Sequence, residues 1–251
     1  MESALTTVGT SVGSTNDLDD EVPRVAEELL RRRLSGEPLQ YVTGVAGFRH
    51  LELSVGPGVM VPRPETEVVA EMAMEVLPPE GLLVDVGTGS GAIALGIAQE
   101  RPDAMVIATE LSLEAARWAR RNRDAYGLAV HLVVCVLLSA ISGDLLERLQ
   151  VVVANLPYVS TGEAASLPPE VVDHEPHGSL FAGADGTEVL RRLIDESPRW
   201  LAPGGWIVLE IGMTQGDVTS ALLVARGFDQ VSTERDLTGR ERIARARWPK
   251  G

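Results

Sequence analysis

Three stretches of this 251-residue chain carry side chains that could do chemistry, each at the end of an apolar run: VDVGTGSG from Val84, MVIATEL from Met105 and VVVANLPYVS from Val151. In the first, Asp85 precedes Gly87, Gly89 and Gly91, glycines that let the backbone turn sharply and let a ligand approach main-chain atoms with no Cβ in the way. Their G-x-G-x-G spacing is neither the G-x-G-x-x-G of a dinucleotide site nor the G-x-x-x-x-G-K-[ST] of a phosphate loop, so no phosphate cradle is required. In the second, Glu110 places a carboxylate at a strand end, where it can accept both hydroxyls of a ribose in charge-assisted hydrogen bonds. In the third, Asn155 offers an acceptor and a donor in one plane, matched to a ligand that is itself a planar –NH₂ group. Leu156 precedes Pro157 and is held away from helical geometry, which turns its carbonyl outward as a second acceptor. Tyr158 adds an aromatic face against the same group.

Such residues act together only if their strands end on one rim. From Leu82 onward the chain repeats apolar strand, turn and amphipathic helix, with strands predicted at LLVDVG, MVIATE, HLVVCV, QVVVAN and WIVLEIG. Helices are predicted between them at about 90–100, 112–126, 186–201 and 214–226. Near-continuous apolar strands alternating with helices predict an α/β fold with a parallel sheet covered on both faces. FDQVSTERDL and RERIARARW, joined through Thr238 and Gly239, predict a closing hairpin that adds an antiparallel strand. Upstream, residues 1–20 read as a disordered tail, 21–45 as a short helical segment, 46–77 as a β-hairpin and linker, and 78–251 as the main domain.

Composition excludes several classes. A formal charge of −14 opposes a protein whose main task is gripping a phosphate backbone, since that affinity comes from Lys and Arg, so nucleic acid is not the expected partner. The denser basic runs, RRR from Arg31 and RWARRNR from Arg117, read as exposed helix faces. No apolar run is long enough to span a membrane, and the N-terminus lacks the basic start and apolar block of a secretory signal. Cys135 is the only cysteine, which leaves no internal disulfide and no cysteine cluster for a metal, and fits a cytoplasmic setting. None of His50, His131, His174 and His177 stands where a general base is expected.

The D-x-G-x-G-x-G loop after a strand resembles the nucleotide-binding loop of Rossmann-like S-adenosylmethionine-dependent methyltransferases. Asn-Leu-Pro-Tyr differs by one residue from the Asn-Pro-Pro-Tyr of enzymes that methylate planar amino groups. With PLQYVTG at Pro38, GFRHLELSVGPGVMVPRPETE at Gly47, VVDHEPHGSLFAGADG at Val171 and LTGRERIARAR at Leu237, roughly residues 38–248 resemble the protein-(glutamine-N5) methyltransferases of peptide chain release factors, the PrmC/HemK type. The resemblance implies a seven-stranded, mostly parallel methyltransferase sheet with an antiparallel C-terminal strand, S-adenosyl-L-methionine as cofactor and a release factor as protein substrate. It implies that Asp85, Gly87, Thr88, Gly89, Ser90, Gly91, Glu110, Leu137 and Asn155 hold the cofactor. It further implies that Asn155, Pro157 and Tyr158 act in catalysis, and that Leu156, Arg63 and Glu65 join those three in binding the substrate, Arg63 and Glu65 from a PRPETE cap over the site. No metal is implied. The chain has Glu110 where the family commonly has Asp, and Cys135, Val136 and Leu137 where it has Gly-Asp followed by an aromatic. A nucleic-acid adenine methyltransferase and a diverged cofactor-binding homologue with weak or altered activity are the alternatives.

Overall fold

The computed structural model describes residues 15–236 and 238–249. Helix α1 (Thr15–Leu34) and the short α2 (Leu39–Thr43) lead into a hairpin of β1 (Val45–Phe48) and β2 (Leu51–Ser54). Helix α1 begins inside the stretch read as a tail. Its last turn carries Arg31, Arg32 and Arg33, which suit the negative end of the helix dipole. The rest of that tail, residues 1–14, lies outside the described residues. Within the stretch read as hairpin and linker stands a full helix, α3 (Pro64–Val76), with Pro64 at its first position, where a missing N–H costs nothing.

The main domain then runs β3 (Leu82–Val86), α4 (Ala92–Glu100), β4 (Met105–Glu110), α5 (Leu113–Tyr126), β5 (Val130–Val134), β6 (Leu149–Ala154), α6 (Pro169–His174), α7 (Glu188–Glu196), β7 (Leu201–Glu210), α8 (Gly216–Arg226), β8 (Asp229–Arg235) and β9 (Glu241–Arg247). The sheet order is β5-β4-β3-β6-β7-β9-β8, and only β9 runs against its neighbours. Alternate residues face the two core layers. Val84, Val86, Val152 and Ile207 look into one, while Leu83, Val151, Val153 and Val208 look into the other beneath α3 and α4. Fully burying a Val or Leu contributes about 1.5–3 kcal/mol each, which is why the central strands are apolar on both faces except at a few positions such as Asp85 in β3 and Gln150 in β6. HLVVCV was expected to extend the third parallel strand to Val136. The edge strand β5 instead ends at Val134, and Leu137 adopts a left-handed backbone (φ 48°) that turns the chain away from the sheet.

After β5 the chain returns across the sheet, and β6 pairs on the other side of β3. The order of strand addition reverses there, and the loops beyond the carboxyl ends of β3 and β6 part to leave a crevice. Val86 stands level with Thr109 of β4 and Ala154 of β6, so Gly87, Glu110 and Asn155 emerge side by side. No helix among the described residues is long and apolar enough to cross a membrane. Arg117, Arg120 and Arg121 are exposed along α5.

Candidate active site

A cavity of about 370 Å³ occupies the crevice, within the size range of small-molecule sites. Asp85, Gly87, Thr88, Gly89, Ser90, Glu110, Leu137, Asn155, Leu156, Pro157 and Arg63 all line it. Gly91 sits one step behind at the start of α4, with φ 90°, and a Cβ there would lie 2.8 Å from Leu95 Cδ1. Gly87 has φ 75°, and its missing Cβ would stand 3.1 Å from Leu156 Cδ2, so the glycine keeps that wall open.

Two anionic groups face this wall. Asp85 is 1% exposed; its Oδ2 accepts from the Thr88 hydroxyl at 2.6 Å and from the Ala94 N–H at 3.1 Å, while its buried Oδ1 accepts nothing. Burial pushes its carboxyl up to about 7, against those two donors. Each oxygen of Glu110 takes one backbone N–H, Gly89 to Oε2 at 2.9 Å and Ser112 to Oε1 at 2.8 Å. Each carboxylate oxygen keeps a further lone pair, which is what a vicinal diol needs. Leu111, Val136 and Leu137 line the cavity beyond Glu110 with apolar surface.

These residues suit S-adenosyl-L-methionine. An orphaned buried carboxylate oxygen is the partner a ligand ammonium requires, the Glu110 oxygens match a ribose, and the apolar Val136–Leu137 end suits a flat base. Neither Thr88 nor any neighbour supplies the lysine a phosphate would need.

Asn155 is held from behind. Its Nδ2 donates to Thr66 Oγ1 at 3.1 Å, and Thr66 in turn donates to Glu210 Oε2 at 2.6 Å. Asn155 Oδ1 and the Leu156 carbonyl oxygen accept no hydrogen bond from the described residues. The Leu156 side chain is buried in the core layer that includes Val86 and Ala154, so it also packs the base of the loop.

Besides Gly91, two of the expected site residues stand off the cavity wall. Glu65 is next to Thr66 in the first turn of α3, about 100° around the helix, and Thr66 is the residue that points at the site. Tyr158 turns behind the wall, where its hydroxyl meets Glu210 Oε1 at 3.5 Å and its ring lies 5.4 Å under the Arg242 guanidinium. Arg63 lines the cavity and pairs with buried Glu175, tying the PRPETE segment to the stretch before Pro176. None of the four histidines lines the cavity.

Glu210 was not among the residues singled out from the sequence. It ends β7, is 2% exposed, and burial pushes its carboxyl up to about 7 against the Thr66 donor and the Arg242 charge. The signal was available in WIVLEIG, since a glutamate inside an apolar strand is almost never buried without partners. Gln215 and Asn122 were missed as well. Gln215 Nε2 donates to the carbonyls of Tyr158 (2.9 Å) and Gly186 (3.1 Å), and Asn122 Nδ2 donates to those of Ser54 (3.0 Å) and Ser90 (2.9 Å), clamping the hairpin to the glycine loop.

The raised Glu210 carboxyl makes stability pH-dependent. A group that holds its proton to about 7 when folded and to 4.5 when unfolded favours the folded chain most below 4.5, and that contribution is lost as pH rises to about 7. Glu210→Gln has no charge to bury, so it should be as stable as the wild type near pH 4.5 and more stable than it at pH 8, by at most about 3.4 kcal/mol. Thermal scans at the two pH values check this, and an equal gap at both would reject it.

A parallel sheet closed by one antiparallel strand, with a glycine turn after β3 and an acid after β4 facing one crevice, defines a Rossmann-like S-adenosylmethionine-dependent methyltransferase. Comparison with known proteins narrows this. The methyltransferase small domain family matches residues 63–172. A release factor glutamine methyltransferase of Streptomyces coelicolor is 45% identical over 88% of this chain and 79% of its own length, and one of Geobacter sulfurreducens is 35% identical over 96% and 84%. A solved methyltransferase of Pyrococcus furiosus shares the fold, with TM-score 0.61 at 18% identity, covering 90% of this chain and 98% of that one. The chain belongs to the release factor glutamine methyltransferase family and is an S-adenosylmethionine-dependent enzyme.

Proposed function

We propose that this chain methylates the side-chain amide of a glutamine in a peptide chain release factor, in the cytoplasm. The observation that carries the proposal is the Asn155 amide, whose donor is tied to Thr66 and whose Oδ1 is left free beside the free carbonyl of Leu156. Two acceptors on one loop are what a substrate –NH₂ requires. The acidic balance of the chain supports a protein substrate over a nucleic acid.

Bound S-adenosyl-L-methionine supplies an electrophilic methyl group. Asp85, Gly87, Thr88, Gly89, Ser90, Gly91, Glu110 and Leu137 would hold it, with Asn155 at the boundary between cofactor and substrate. An amide nitrogen is a poor nucleophile because its lone pair is delocalised into the carbonyl. Asn155 Oδ1 and the Leu156 carbonyl, by accepting both N–H groups, fix the nitrogen and aim its lone pair, an orientation effect worth several kcal/mol. Pro157 restrains Leu156 in that pose, and Arg63, which lines the cavity, and Glu65 in the first turn of α3 would meet the substrate from the α3 side. Catalysis by orientation accords with a wall that carries no histidine base.

Incubation with a methyl-labelled cofactor and a release factor should place label on a single glutamine, located by peptide mass mapping. A folded protein that binds the cofactor and leaves that glutamine unlabelled would overturn the proposal.

A further inference from the structure

The polar chain behind Asn155 joins the loop after β6, Thr66 of α3 and Glu210 of β7, and its direction is set at one end. An ionised carboxylate can only accept. Thr66 has a single hydroxyl proton, and at 2.6 Å from Glu210 Oε2 that proton is committed to the carboxylate. Its oxygen is then only an acceptor toward Asn155, so the Asn155 atom at 3.1 Å must be the –NH₂ group and Oδ1 must be the atom left for the cavity. We propose that Glu210 is a positioning residue for methyl transfer: acting through the Thr66 hydroxyl, it fixes the Asn155 amide with its oxygen, not its nitrogen, toward the substrate. This rests on the glutamine-amide reading above and adds to it the device that decides which end of Asn155 the substrate meets.

Protonating Glu210 undoes the arrangement. Its Oε2 becomes a donor to Thr66, the Thr66 proton is released, and that proton can go to Asn155 Oδ1 once the amide turns over. The amide –NH₂ then faces the substrate –NH₂, donor against donor. The groups that face Glu210 are known: Arg242 from β9, itself near Asp236, favours the ionised form, while Glu65 on α3 and burial favour the protonated one; the Tyr158 hydroxyl stabilises the charge weakly at 3.5 Å. With the carboxyl poised at about 7, the switch falls within the working range of pH.

The test uses the full chain with and without substrate. In ¹⁵N-labelled protein without substrate, the Asn155 side-chain –NH₂ resonances should titrate with a midpoint near 7, and in Glu210→Gln they should be flat. Asp85 is also raised to about 7, so a titration that persists in Glu210→Gln belongs to Asp85 and overturns the proposal. In turnover, kcat should fall on the acid side of the same midpoint in the wild type and lose that limb in Glu210→Gln. Thr66→Val should lower kcat by about 10- to 100-fold with no change in cofactor affinity, because the amide is freed to turn over, and Thr66→Ser should recover most of it. Wild-type kcat in Thr66→Val, or an acid limb that survives in Glu210→Gln, would overturn the proposal. The resonance titration needs no substrate, so its presence in a protein that leaves release-factor glutamine unlabelled would retain the positioning network and reject the function.

Discussion

Asn155→Ala should lower kcat by about 10²- to 10³-fold while cofactor affinity stays within about threefold. The substitution removes the side-chain acceptor that the Asn-Leu-Pro-Tyr loop presents to the cavity and leaves the Leu156 carbonyl to hold the substrate amide alone. One hydrogen bond does not define the rotation of an –NH₂ group about its C–N axis; two do. The glycine turn is held by the Gly87 and Thr88 N–H groups donating to the Thr109 carbonyl, and Glu110 by the Gly89 and Ser112 N–H groups, so the cofactor side of the cavity is untouched. Calorimetry for the cofactor and stopped-time labelling for kcat separate the two effects, and a parallel loss of both would place Asn155 chiefly in cofactor binding.

Asn155→Asp sharpens the same point, because it keeps shape and removes the donor. The new carboxylate would confront the Thr66 oxygen, whose proton is already given to Glu210. One proton cannot satisfy two carboxylates, and a second negative charge nearby pushes the Glu210 carboxyl higher still. Activity should therefore be low at neutral pH and its acid limb displaced upward, which a simple loss of packing would not produce.

What the sequence revealed and what it concealed divide along a physical line. Gly87, Glu110 and Asn155 were legible because each is fixed by its own strand: once β3, β4 and β6 are recognised as parallel neighbours, their carboxyl ends meet on one rim. The stop of β5 at Val134 was not legible, because HLVVCV stays apolar past the point where Leu137 turns the backbone to positive φ. Thr66, Gln215 and the link from Glu210 to Asn155 were concealed for another reason. Thr66 is 89 positions from Asn155 and 144 from Glu210, so no local pattern joins them. PRPETE drew attention to its charges, and the residue that reaches the site is the hydroxyl between them.

Gly186→Ala should be among the most destabilising single changes in the chain. Gly186 is buried with φ 72°, and a Cβ there would lie 2.3 Å from the Tyr158 carbonyl oxygen, 2.9 Å from Gln215 Nε2 and 3.1 Å from the Ser160 N–H nitrogen. Two of those three are backbone atoms, which cannot rotate aside, and a left-handed backbone adds roughly 1–2 kcal/mol for any residue with a Cβ. The loop after Tyr158 is bound to the same stretch by Val159 N–H to Leu180 and Ala182 N–H to Val159, so relief by sliding breaks those bonds as well. Moving the two backbones apart also costs Gln215 its bridge between the Tyr158 and Gly186 carbonyls, leaving buried acceptors without donors. A loss of about 3–5 kcal/mol follows, or a fall in Tm of roughly 6–20 °C for a chain of this size. Gly143→Ala is the control, since nothing lies within 4 Å of the Cβ it would gain, and its Tm should move by less than about 2 °C. Because the strained contact lies at the carbonyl of Tyr158, three residues from Asn155, the surviving folded fraction of Gly186→Ala should also show a reduced kcat. A variant that melts as the wild type does would mean that the two loops are not held together at Gly186.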